Sequence, residues 1–160
     1  MKFAGSRATI PIIMISDIPL PIPLSVILSP SHITNIVPAV RVITDVIWKV
    51  GDEQWAPVTS SDNVVVNASV FDPDSIGGVN SLFAYIGEGI EGSYTKLQMF
   101  DDGNHQDGSA GDGVFGIILD EQASGTRIRF YIEAVANDTA GTRTFYPARA
   151  AHDVFTFAVD

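Results

Sequence analysis

Thirteen residues, Asp101-Asp102-Gly103-Asn104-His105-Gln106-Asp107-Gly108-Ser109-Ala110-Gly111-Asp112-Gly113, hold four aspartates, an asparagine and four glycines. Carboxylates packed this closely repel. Two unit charges 4 Å apart cost about 1 kcal/mol in water and about 4 kcal/mol at an intermediate dielectric. A Ca²⁺ ion would reverse that penalty, because it takes about six to eight oxygen ligands from carboxylates, carbonyls and water. Asp101, Asp102, Asp107 and Asp112 would supply carboxylates and Asn104 an amide oxygen, while the glycines would let carbonyls turn inward. A second reading needs no ion: the aspartates cap backbone amides of a solvated turn whose glycines take positive φ. The spacing is not that of an EF-hand. Counting from Asp102, Gln106 falls at a required acceptor, Asp107 at the required glycine and Gly113 at the terminal glutamate.

Other chemistry in this stretch is less well supported. His105 stands among Asp102, Asp107 and Asp112, and a His–Asp pair can act as acid and base. Ser109 follows four residues on, but Gly108-Ser109-Ala110-Gly111 is not a nucleophile elbow. Gly111-Asp112-Gly113-Val114-Phe115-Gly116 satisfies GxGxxG, yet a dinucleotide site needs a strand before it and a helix after it, and aspartates repel pyrophosphate. Paired carboxylates can hydrolyse glycosides only at set separations that no sequence fixes. Trp48, Trp55 and Tyr85 could stack on sugar rings, and Trp55, in a polar connection, is the better exposed candidate. Asn67-Ala68-Ser69 and Asn137-Asp138-Thr139 match the N-glycosylation pattern.

The elements that must position these residues read as strands. Period-two alternation runs over 40–50, where Val40, Val42, Val46, Trp48 and Val50 share one parity, and over 64–71. It returns at 79–86, with Leu82, Ala84 and Ile86 opposite Phe83 and Tyr85, and again at 93–100 and 114–119. Its clearest stripe is Ile128, Phe130, Ile132, Ala134 and Ala136, opposite Arg127, Arg129, Tyr131 and Glu133. The last strand lies near 154–159. Turn residues separate the seven segments at sandwich or barrel spacing. No stretch combines helical period, length and caps, so a parallel α/β fold is excluded for want of crossover helices. The expected fold is an all-β, seven-stranded, antiparallel β-sandwich over residues 40–160. Counted in order, alternate connections share one end, so Asp72, Asp74 and Asp138 would join the acidic loop there and extend the calcium ligand set.

Residues 1–39 form a separate segment. Within it 8–28 is strongly apolar but broken by Pro11, Pro19, Pro21 and Pro23, which favours an extended path over a helix. With Asp17 in its middle it makes a poor membrane span. It is expected to be an extra edge strand, or, on a second reading, a targeting segment begun by Lys2 and Arg7.

Three stretches resemble immunoglobulin-like or fibronectin-III-like modules of large secreted bacterial proteins, which accompany lamin-tail, spore-coat-H-like or surface-anchoring domains. They are VVVNASVFDPDSIGGV (64–79), LQMFDDGNHQDGSAGDGVFG, which is similar to a DDG–GDG–AGDGVY loop, and RIRFYIEAVANDTAG. Gln106 stands where a glycine is usual and Phe115 where tyrosine is common. The resemblance implies an immunoglobulin-like sandwich acting as a noncatalytic accessory module, a spacer or protein-interaction domain, in an extracellular or cell-envelope protein. Its partners would be other domains of a larger protein or surface proteins. Carbohydrate binding through Trp55 and a small hydrolase are the alternatives.

Composition narrows the partners further. The chain has 160 residues, 46% of them hydrophobic, and no cysteine, so disulfides, zinc thiolates and a cysteine nucleophile are excluded. Its formal charge of −10 opposes nucleic acid and anionic membrane surfaces. Cations, neutral glycans and basic proteins remain.

Overall fold

The computed structural model describes residues 41–73 and 78–160. The segment 1–39 and Asp74, both singled out above, lie outside these. Among the described residues the chain is all-β, with nine strands: β1 (Val42–Val50), β2 (Glu53–Gln54), β3 (Val64–Phe71), β4 (Val79–Glu88), β5 (Thr95–Met99), β6 (Val114–Leu119), β7 (Arg127–Ala136), β8 (Arg143–Tyr146) and β9 (Phe155–Ala158). All seven expected segments are strands. The two additions are too short for a period-two signal. β2 is the return of a tight hairpin from β1, pairing Lys49 with Gln54 and Val50 with Glu53. β8 returns from β7 and covers only four residues.

The strands form two antiparallel sheets. One runs β2-β1-β3-β6; the other runs β5-β4-β7-β8, with β9 also on β7. β8 and β9 divide one edge of β7 between them: β8 pairs with Ile132–Val135 and β9 with Arg127–Phe130. A single bridge, Phe100 to Gly116, joins the β5 end to β6. The registers set Phe71 beside Val42, Val114 beside Ser69, Met99 beside Leu82 and Ala136 beside Val79. Three connections therefore lie at one end of the sandwich: β3–β4 with Asp72, β5–β6 with the acidic loop, and β7–β8 with Asp138.

The core lies between the sheets and follows the alternation. Val64, Val66 and Ala68 of β3, Leu82 and Ala84 of β4, and Ile128, Phe130, Ile132 and Ala134 of β7 belong to one buried cluster. In β1 the expected parity is corrected. Ile43 is 3% exposed and Val42 39%, so the first half of the strand buries odd positions. The register shifts between Thr44 and Ile47, and Asp45 takes φ 48°. This bulge adds one residue and returns the even positions, Val46 and Trp48, to the core side.

Phe130 couples three strands: it is fully buried, and its ring stacks on Phe155 of β9 at 5.1 Å. Phe130→Ala should destabilise the protein by about 4 kcal/mol, measured by urea unfolding. A loss under about 1 kcal/mol would show that the site collapses around the cavity.

Candidate functional site

The acidic loop builds itself from its own carboxylates. Asp101 accepts N–H bonds from Gly111 (2.7 Å), Asp112 (3.2 Å) and Gly113 (3.0 Å). Asp107 accepts from Asp102 (2.7 Å), Gly103 (3.1 Å) and His105 (3.1 Å). Asp112 takes the N–H groups of Ser109 and Val114, both at 2.9 Å. Asp102 takes those of Asn104 and the His105 ring Nδ1, also at 2.9 Å. The Asn104 amide turns back on the carbonyl of Asp102. Burial alone would push the Asp107 carboxyl up, but the backbone N–H groups around it hold it below the ordinary value. The His105 hydrogen bond, then the Asn104 N–H, hold Asp102 down as well.

This loop lies against the outer face of the four-stranded sheet. The carbonyl of Gln106 accepts from Lys49 Nζ at 2.8 Å and from the Asn67 amide at 3.3 Å. Gly116 of β6 has to be a glycine, because a Cβ there would meet the His105 carbonyl, the Asn67 amide nitrogen (2.9 Å) and Asp107 Cβ (3.1 Å). The His105 ring stacks on Phe100 at 4.7 Å. Asn67, 4% exposed and bonded to the loop, is closed to glycosylation in the folded state.

The other expected ligands are also engaged locally. Asp72 pairs with buried Arg41 at 3.0 Å and accepts the Gly78 N–H at 3.2 Å. Asp138 accepts the Thr142 N–H at 2.9 Å, closing the β7–β8 turn, and the Thr142 hydroxyl, then that N–H, hold its carboxyl below the ordinary value. The topology thus brings Asp72, Asp101, Asp102, Asn104, Asp107, Asp112 and Asp138 to one end without converging them. Among the described residues no three His, Cys, Asp or Glu side chains are grouped to hold a metal ion. The calcium expectation therefore receives no assembled ligand set. His105 bonds Asp102 and, among the described residues, no hydroxyl.

Trp55 lies at the opposite end, just past β2. It is 47% exposed, and its ring meets Trp48 edge-on at 4.3 Å. Its backbone takes φ 57° and its N–H bonds the Trp48 carbonyl, closing the β1–β2 hairpin.

A second cluster covers the outer face of the five-stranded sheet. Alternation sends Phe83 and Tyr85 of β4, Lys96 of β5, Arg129, Tyr131 and Glu133 of β7, and Arg143 and Phe145 of β8 to this side. Tyr85 and Tyr131 are directly paired across strands, and their rings stack at 4.6 Å with planes 9° apart. Tyr94 folds over β4 and meets Tyr131 edge-on at 5.0 Å. That approach requires Gly87, where a Cβ would lie 3.1 Å from two Tyr94 ring carbons. Arg129 lies over the Tyr94 ring and bonds its hydroxyl at 3.1 Å.

Glu133 sits at the centre of this layer, fully buried. Lys96 Nζ (2.5 Å) and the Tyr85 hydroxyl (3.0 Å) donate to its Oε2, and Arg143 (3.0 Å) donates to Oε1. Lys96 also lies 3.8 Å from the Phe83 ring centroid. Burial would raise the Glu133 carboxyl, but the Lys96 and Tyr85 hydrogen bonds, with the charges of Lys96 and Arg143, hold it below the ordinary value. Burial would lower the Lys96 ammonium, but its hydrogen bond to Glu133, and then Tyr85, raise it above the ordinary value. Sequence reasoning missed this cluster apart from Tyr85. The signal was present: aromatic and charged residues on the parity opposite the core stripes of β4 and β7.

Fold and sites together define an immunoglobulin-like β-sandwich domain. Residues 80–154, just under half of the chain, match the model of the conditioned medium factor second Ig-like domain. No curated protein matches the chain. Among solved structures, the crystal structure of the Br derivative of BhCBM56 is similar with a TM-score of 0.38 and 9% identity, covering 60% of this chain and 78% of that one. At that level the likeness carries no argument about ligand or activity.

Two outcomes follow. The depressed Glu133 pKa stabilises the fold above the ordinary glutamate value, about 4.3, and that contribution is lost as pH falls through the folded value. Glu133→Gln should cost about 2 kcal/mol at pH 7 and much less at pH 3; an equal cost at both would contradict the ion-pair role. Because the loop carboxylates already hold N–H groups, calcium added to chelator-treated protein should move Tm by less than about 1 °C. A rise of several degrees would mean that they rearrange around the ion.

Proposed function

We propose that this domain is a noncatalytic accessory module of a secreted or cell-surface bacterial protein, and that it binds a protein partner through the outer face of its five-stranded sheet. The observation that carries this reading is the aromatic and cationic layer on that face. The core uses the opposite parity of β4 and β7, so Phe83, Tyr85, Tyr94, Tyr131 and Phe145 are not needed to fill it. Tyrosine, phenylalanine and arginine are enriched where proteins meet. Here the rings are held by strand pairing and by Glu133, so little side-chain freedom remains to be lost on binding. The matching family model supports the modular part of the reading, since it describes a second Ig-like domain of its own protein.

A second reading, carbohydrate binding, is favoured by one observation: Trp55 offers an exposed ring at the hairpin of β1 and β2. The two surfaces lie on different parts of the sandwich and separate in experiment.

Lys96 and Lys49 are the only lysines among the described residues, one on each sheet. Amine cross-linking of the native protein, read by mass spectrometry, should link Lys96 to a partner domain or protein and leave Lys49 unlinked. Tyr94→Ala should reduce the Lys96 links about fivefold or more, the loss expected of a hot-spot tyrosine. Links confined to Lys49, or specific glycan-array binding lost in Trp55→Ala, would contradict the protein-partner reading.

A further inference from the structure

We infer that the edge of β6, unpaired beyond Gly116 among the described residues, is a strand-addition site for an extended peptide segment of a partner protein, with apolar residues in alternation and a basic residue at the end away from Phe100. This surface is separate from the aromatic face described above, so the two readings stand or fall independently.

The Phe100–Gly116 bridge closes the gap between the sheets at the acidic-loop end only. Beyond it, between β5 and β6, a groove of about 680 Å³ remains open, with Ile86, Leu97, Ile117 and Leu119 along it and Glu88 and Asp120 at its border. The bridge fixes the direction of the β6 edge. Phe100 N–H bonds the Gly116 carbonyl at 2.9 Å, and Gly116 N–H bonds the Phe100 carbonyl at 2.7 Å. Both polar groups of Gly116 thus point away from β3. In an antiparallel ladder that direction repeats every second residue, so the N–H and C=O of Ile118 also face the groove. β6 pairs with β3 alone apart from this bridge, and these groups have no backbone partner among the described residues.

Sheet edges are ordinarily protected by charge, proline or a bulge. β6 reads Val-Phe-Gly-Ile-Ile-Leu and has no charge or proline, and its register with β3 runs without a shift. A strand continuing the line of Phe100 would pair with Ile118 and extend about 13 Å from Gly116 to Asp120. Its alternate side chains would enter the groove beside Ile117 and Leu119, and the rest would face solvent.

The border selects one end of that segment, the end away from the Phe100–Gly116 bridge, where Glu88 follows Ile86 and Asp120 follows Leu119. Glu88 and Asp120 have no ion pair among the described residues, while Arg127 borders the adjoining depression and not the groove. Lysine or arginine at that end of the apolar run would meet these carboxylates.

The test is a titration of the protein with the acetylated, amidated peptide Lys-Val-Thr-Val-Thr-Val-Lys, followed by amide NMR shifts. The expected result is shifts confined to β5 and β6, with the Ile118 amide moving downfield. Replacing the two lysines by glutamates should weaken binding several-fold at low salt. Ile118→Pro removes the edge donor where a proline is tolerated and should weaken binding about tenfold or more. If that variant loses amide dispersion, the Glu88→Lys, Asp120→Lys double variant carries the test: it should lose the lysine peptide and gain the glutamate one. No shifts at millimolar peptide, shifts on Tyr85, Tyr94 and Tyr131 instead, binding unchanged in the variants, or dimerisation of the protein alone through β6 would each overturn the inference.

Discussion

Strand β7 must bury both of its faces, and most of the domain follows from how it does so. Its inner face carries Ile128, Phe130, Ile132, Ala134 and Ala136, all buried in the core between the sheets. On its outer face Tyr131 is 9% exposed and Glu133 is fully buried. An apolar inner face is satisfied by packing alone. A buried carboxylate is not, because leaving it without partners would cost several kcal/mol. Lys96 from β5, Tyr85 from β4 and Arg143 from β8 converge on Glu133 for that reason, and their rings and chains form the layer that covers the sheet. The solvent side of the five-stranded sheet is therefore ordered by one charge.

The other sheet solves a related problem with a loop. β3 also has buried positions on its outer side, Val65 and Asn67. The acidic loop covers Asn67, and its carboxylates supply acceptors to the backbone N–H groups exposed by its tight turns. A loop of this length without strand or helix has few internal partners of its own, and side-chain acceptors replace them. The glycines and aspartates that suggest a calcium site in sequence are thus the residue types such a folded loop needs. The two chemistries share a composition and differ only in where the oxygens point.

Much of the sandwich was legible because its strands have one apolar parity each: Leu82, Ala84 and Phe130, Ile132 gave β4 and β7 directly. The parity of β1 was not, since the bulge at Asp45 inserts a residue whose positive φ leaves no mark on hydrophobic alternation. β2 and β8 were hidden by their shortness. The acidic loop was visible as a segment, but its partners Lys49 and Asn67 lie far away in sequence, and no local pattern ties them to it. The outer-face cluster was written in the sequence as Tyr85, Tyr131 and Glu133 on the polar parity. It was unreadable as a cluster until the registers set Tyr85 beside Tyr131 and brought Lys96 and Arg143 to one carboxylate.

The central claim, that a paired, buried Glu133 organises the outer face, is tested most directly by following its carboxyl carbon by NMR as pH is lowered. The account predicts that Glu133 titrates well below the ordinary glutamate value, and that the Tyr85 and Lys96 signals shift with it. Titration at or above that value, or tyrosine and lysine signals that ignore it, would contradict the account.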